Sequence, residues 1–278
     1  MSFGLSSLWP RSRWDETASL RVDDEDRAAL EQGGTLLLPM FRERLLRYLP
    51  LGGRVAEIGV ARGRFSSKIR RICKPSYLAL VDPWAEQNSD VYFGDDNNVV
   101  QGEQETRYRS IVKSFTSRKP GQQCDVIRKY SKDAAGDFAD KSLDWVYIDG
   151  NHSHEACLED LRCWAPKVAD DGLLCGHDFA VHAAARSSRF GVIQAVHEFV
   201  EETGYKLVAV TVEHFPTFVV AKNPAGATVQ RLRQLVFAHE PHVIQVADWE
   251  QAAVSHARLM TGTPRSAFFS LTFPRAIS

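Results

Sequence analysis

Four times between Arg54 and Cys175 an apolar run breaks off at a glycine or a polar residue, and a longer polar or helix-patterned stretch separates it from the next. The runs are Arg54-Val-Ala-Glu-Ile-Gly59, Tyr77-Leu-Ala-Leu-Val81, Leu143-Asp-Trp-Val-Tyr-Ile148 and Gly172-Leu-Leu-Cys175, with a shorter strand near Asp125 to Ile127. Strands alternating with helices pair in parallel and are covered on both faces. Two later runs, Lys206 to Val212 and Thr217 to Ala221, are joined only by Glu213-His-Phe-Pro216. So short a link cannot carry a crossover between parallel strands, so these two must pair antiparallel. The expectation is an α/β fold: a Rossmann-like, doubly wound, mostly parallel sheet that ends in an antiparallel hairpin.

The helices follow from apolar spacing. Leu36, Leu37, Leu38, Phe41, Leu45, Leu46 and Leu49 read as one helix that stops at Pro50 and Gly52-Gly53. Phe65, Ile69 and Ile72 share a face, and further helices are expected over about 103–117, 155–165 (closed by Pro166), 191–202 and 229–237. Residues 1–34 read as a polar arm, 35–223 as the α/β domain and 224–278 as a C-terminal extension. Arm and extension are the surfaces through which a homo-oligomer or another protein would dock.

Composition excludes several classes. Hydrophobic residues at 44%, charged residues at 25% and a net charge of -1 do not describe a polyanion binder, so nucleic acid is not the expected partner. The start lacks the apolar core of a signal peptide and no 18-residue apolar run occurs, so neither secretion nor a membrane partner is expected. Cysteines 73, 124, 157, 163 and 175 form no CxxC pair, which points to reduced thiols in a cytoplasmic protein.

In an open parallel sheet, ligands bind outside the carboxyl ends of the strands. Glu57 and Gly59, Asp82, Asp149, and His177 with Asp178 all fall there. The first turn, Glu57-Ile-Gly-Val-Ala-Arg-Gly63, has two glycines four apart, whereas the dinucleotide fingerprint needs three, so pyrophosphate is disfavoured. Such a turn still lets a ligand lie against backbone, and Asp82 at the next strand end can accept hydrogen bonds from a ribose diol. A nucleoside ligand follows. The stretch Tyr147-Ile-Asp-Gly-Asn-His-Ser-His-Glu-Ala-Cys157 suggests zinc at first sight. Cys157, however, shares an apolar helix face with Leu158, Leu161 and Trp164, and His154 and Glu155 open that helix, which leaves Asp149 and His152 for a cleft.

AEIGVARGRFS, LALVDPW, LDWVYIDGNHSHEACLEDLRCWAPKVADDGLLCGHDF and GVIQAVHEFVEETGY together resemble the class I S-adenosylmethionine-dependent methyltransferases, in the small-molecule group with IDGxH and GHD motifs. The resemblance covers about residues 36–223 and implies a seven-stranded sheet with an antiparallel strand. It implies that Glu57, Gly59 and Gly63 shape the pocket for the amino-acid part of the cofactor, that Asp82 takes its ribose hydroxyls, and that Ser131 and Asp133 lie near the adenine. Asp149 and residues 176–178 would face the methyl group and a small-molecule acceptor.

Two carboxylates at neighbouring strand ends, Asp149 and Asp178, would also suit Mg²⁺, which takes hard oxygen ligands and can lower the pKa of an acceptor hydroxyl. His177, or else His152, is the expected general base for O-methylation. The long segment Pro83 to Gly102, with Trp84, Tyr92, Phe93, Asp95 and Asp96, is expected to form a lid. Two other readings stand beside this one: a nicotinamide-dependent oxidoreductase, and a non-catalytic nucleoside-binding or partner-binding module.

Overall fold

The computed structural model describes residues 34–87, 97–116, 121–180 and 190–246. The arm up to residue 33, the middle of the expected lid with Tyr92, Phe93, Asp95 and Asp96, and the tail from residue 247 lie outside them.

One mixed sheet organises the chain. In chain order its strands are β1 (Thr35–Leu38), β2 (Arg54–Ile58), β3 (Tyr77–Val81), β4 (Gln123–Ile127), β5 (Leu143–Ile148), β6 (Val168–Gly176), β7 (Lys206–Thr211), β8 (Phe218–Ala221) and β9 (Ile244–Val246). Their spatial order is β4-β3-β2-β5-β6-β8-β7-β1-β9. β2 through β6 pair in parallel, and β8 runs antiparallel to both β6 and β7, as the short link between the last two runs requires.

Among the described residues the sheet has nine strands, not seven, because two more join beyond the hairpin. β1 pairs parallel with β7, and β9 pairs antiparallel with β1. The helix expected from Thr35 is therefore half wrong: Thr35–Leu38 is a strand, and only Arg42–Leu45 forms the short helix α1. Pro39 is the reason. A proline disfavours helical backbone at the residue before it and cannot donate in the helix it would interrupt. All four residues of β1 are buried, which suits a continuous apolar run in a sheet covered on both sides.

The remaining helices are α2 (Arg64–Ile72), α3 (Gln101–Phe115), α4 (Ser131–Ala135), α5 (His154–Trp164), α6 (Val192–Thr203) and α7 (Ala227–His239). Alternation along the strands divides the core. Ala56, Ile58, Val146 and Ile148 face α5 and α6 through Leu158, Leu161, Ala195 and Phe199. Val55, Trp145, Tyr147 and Cys175 face the other layer, with Phe65, Ile69, Ile111, Leu232 and Val236. Cys157 is core, as its helix face predicts. Among the described residues no helix is long and apolar enough to cross a membrane.

Candidate functional site

Strand order reverses between β2 and β5: β3 and β4 lie to one side of β2, and β5 and β6 to the other. The carboxyl ends of β2, β3 and β5 border a cleft lined by Gly59, Asp82, Ser131, Asp149 and His152, among others. This is where an open sheet leaves room for a ligand.

Gly59 sits at φ +86°, and a Cβ there would lie 2.0 Å from the carbonyl oxygen of Asp149. The β2 and β5 loops touch at this point, which only glycine permits. Gly63 serves differently. At φ +68° it precedes α2, and its Cβ would meet Ile111 Cδ1 at 2.4 Å, so it seats α3 against the turn and does not line the cleft.

Asp82 is held by the same turn. Its Oδ2 accepts from the amides of Val60 (2.9 Å) and Ala61 (2.8 Å), and its Oδ1 accepts from Trp84 N (2.7 Å). Burial pushes its carboxyl pKa up, and the three backbone donors pull against that. A carboxylate offers about four acceptor sites, so roughly one is left for a ribose hydroxyl instead of the expected two. Trp84 is not a lid residue. It is 0% exposed, stacks near Tyr108 at 5.3 Å, and donates Nε1–H to the carbonyl of Ala61, locking the turn from beneath. The two ends of the lid segment are clasped instead: Gln87 N donates to Asn98 Oδ1 (2.8 Å) and Glu86 N to Gln101 Oε1 (2.9 Å), with bonds returned in both cases.

Glu57 is buried beneath the turn, with Oε2 lacking a hydrogen-bond partner, and burial pushes its pKa up to about 8. Ser131 lines the cleft and accepts from Trp164 Nε1 (2.8 Å). Asp133 is exposed on the first turn of α4 and does not line the cleft, so the structure leaves it apart from the other expected adenine contact. A residue not expected from sequence lies there instead: Asp160 on α5 lines the cleft and is buried, which pushes its carboxyl up to about 7 against the pull of the Ser131 hydroxyl. The signal was visible, because Asp160 stands among Cys157, Leu161 and Trp164 on the apolar face of that helix.

The acidic and imidazole residues converge at the ends of β5 and β6. His152 Nδ1 lies 2.9 Å from Asp178 Oδ2, and His177 Nδ1 lies 3.2 Å from Asp178 Oδ1 and 3.5 Å from Asp149 Oδ1. Asp178 adopts φ +60°, a left-handed conformation that aspartate tolerates better than most residues. Burial would lower the pKa of His177, but Asp149 and Asp178 outweigh it and raise it to about 9. Burial works against ionisation of both carboxylates too, yet the neighbouring cations hold both below the usual range: chiefly His177 and Arg42 for Asp149, His152 and His177 for Asp178. The two carboxylates thus favour the charged form of His177, which disfavours it relative to His152 as a proton acceptor.

Arg42, from α1, was not anticipated. Its Nη1 donates to Asp149 Oδ2 at 2.7 Å, and its guanidinium lies 4.4 Å over the ring of Phe65. Nothing local in the sequence marks it, since the contact spans 107 residues. Around the two histidines stand aromatic rings: Phe190 at 4.5 Å from His152 and 5.7 Å from Phe215, itself 6.4 Å from His177.

A doubly wound sheet with a glycine turn and acidic strand ends bordering a cleft at its switch point is the α/β architecture in which ligands bind outside the strand ends. Residues 56–179 match the family model described as a methyltransferase domain. Over that segment the chain is similar to methyltransferase domains. Similar solved structures include a protein from Corynebacterium glutamicum (17% identity, 71% of this chain and 86% of that one, TM-score 0.44). Others are M. capricolum TrmK in complex with S-adenosyl-homocysteine (13%, 66% and 69%, TM-score 0.45) and the N-methyltransferase NodS from Bradyrhizobium japonicum WM9 (15%, 65% and 94%, TM-score 0.43). No curated protein matches the chain.

Proposed function

We propose that the protein methylates a hydroxyl group of a small molecule. The observation that carries this reading is the imidazole–carboxylate pair His152–Asp178, 2.9 Å apart beside the cleft. Bound S-adenosylmethionine supplies a methyl group already activated on a sulfonium, so positioning and proton removal are the tasks left to the protein.

Gly59, which lines the cleft, gives the cofactor a backbone surface to lie on. Asp82 offers its remaining acceptor site to the ribose, and Ser131 with Asp160 flanks the far end of the cleft. With Nδ1–H donated to Asp178, His152 would hold Nε2 free to accept the proton of the acceptor hydroxyl. His177 and Arg42 keep Asp149 and Asp178 ionised, so that Asp178 can hold the imidazole in this tautomer and stabilise it once charged.

Asp149, His152 and Asp178 each offer one atom within 4.8 Å of the others, the kind of donor set a divalent cation would need, but Asp149 Oδ2 already accepts from Arg42, so the proton-transfer reading does not call on a metal.

The test is release of S-adenosylhomocysteine across matched panels of alcohols, phenols and amines. Turnover with hydroxyl acceptors is expected; turnover confined to amines would sink the reading. His152→Gln is expected to lower kcat by about a hundredfold or more while calorimetry shows cofactor affinity changed by less than about threefold.

A further inference from the structure

We propose that Arg42 is the resident cation of this constellation and that it keeps a divalent metal off Asp149. The inference rests on the acceptor-side reading of Asp149 and Asp178, but not on which acceptor is used. A metal held by Asp149, His152 and Asp178 needs an oxygen of Asp149. Its Oδ2 already accepts from Arg42 Nη1 at 2.7 Å, and its Oδ1 faces His177 Nδ1 at 3.5 Å.

Arg42 is not a loosely held surface side chain. Its guanidinium is packed over Phe65, which is buried, and Nη1 lies 3.5 Å from Tyr147 Oη, itself buried and 2.8 Å from Thr217 Oγ1. The side chains of Arg42 and Asp149 are 23% and 18% exposed, so water screens their attraction only in part. A guanidinium keeps its charge at any pH at which the protein folds, so this occupancy does not come and go with protonation. An incoming dication would have to displace it and would meet its repulsion meanwhile. Arg42 comes from α1, outside the segment 56–179 that matches the methyltransferase model. With metal excluded, the imidazole of His152 stays available for proton transfer instead of being spent as a ligand.

Mn²⁺ binding, followed by the loss of the free-ion EPR signal, tests this without reference to turnover. Wild-type protein is expected to bind Mn²⁺ no tighter than about millimolar, and Arg42→Met about tenfold or more tighter. Arg42→Lys keeps the charge and is expected to behave as wild type, while adding Asp149→Asn to Arg42→Met should abolish the gain. Micromolar Mn²⁺ binding by the wild-type protein overturns the proposal whatever the variants do. So does an Arg42→Met protein that melts like wild type yet shows no gain.

Discussion

At the scale of single residues, the carboxyl of Glu57 has the clearest measurable consequence. It is 1% exposed, and burial holds its pKa near 8 against an ordinary value of 4.5. The folded chain therefore keeps a proton there that the unfolded chain gives up. Since the folded value is the higher one, this contribution to stability is fully present below about pH 4.5 and is lost as pH rises through about 8. Glu57→Gln imitates the protonated form at every pH. In urea unfolding of the cofactor-free protein, wild type is expected to lose roughly 3 kcal/mol more than the variant between about pH 5 and pH 9; parallel curves would refute it. Residues of this kind differ in how far sequence reveals them. Asp149, His152 and Asp178 could be named because each follows an apolar run whose end must open on the cleft. Arg42 could not, because what gives it meaning is a carboxylate 107 residues away. The position of His177 at a strand end is legible in the sequence, but its charge depends on two carboxylates brought to it by the fold.

Among the elements, the turn between β2 and α2 carries the tightest geometry. Three amides of this turn and the following strand end converge on Asp82, Trp84 closes it from below, and Gly59 lies against the β5 loop. In Gly59→Ala, a Cβ 2.0 Å from a carbonyl oxygen forces two loops apart in a backbone conformation that L side chains rarely adopt. The variant is expected to lose about 2–4 kcal/mol of stability in chemical denaturation and to bind S-adenosylhomocysteine at least about tenfold more weakly by calorimetry. Unchanged values in both would show that the loops are not in contact. Most elements were readable from period and punctuation: β2 to β8 and five of the helices fall within a few residues of where apolar spacing puts them. The failures have local causes. The leucines of β1 continue a helical spacing with those of α1, and only Pro39 separates the strand from the helix. β9 was missed because three residues pairing only with a distant strand carry little pattern of their own.

For the whole molecule, the segment after Asn223 is part of the sheet's architecture. α7 buries Val229, Leu232 and Val236 in the same layer as Leu36 and Leu38, Arg233 donates to the carbonyl of Gly34, and β9 covers the outer edge of β1. Ending the chain after Asn223 would bare both an apolar helix seat and a strand edge. The shortened protein is expected to aggregate or melt at least about 5 °C lower, as read by light scattering and calorimetry; a monomer with an unshifted melting temperature would contradict this.

The place of β1 also sets the order in which the protein can be made. Thr35 Oγ1 donates to the carbonyl of Leu207, 172 residues further on, and Leu36 to Leu38 pair with Ala209 to Thr211. At about 5–20 residues per second, β1 would wait roughly 10–30 s after synthesis for the strand it must lie beside. β2, β3 and β5 are all made before β7, so the strands that border the cleft can pair while β1, and α1 behind it, still lacks its neighbour.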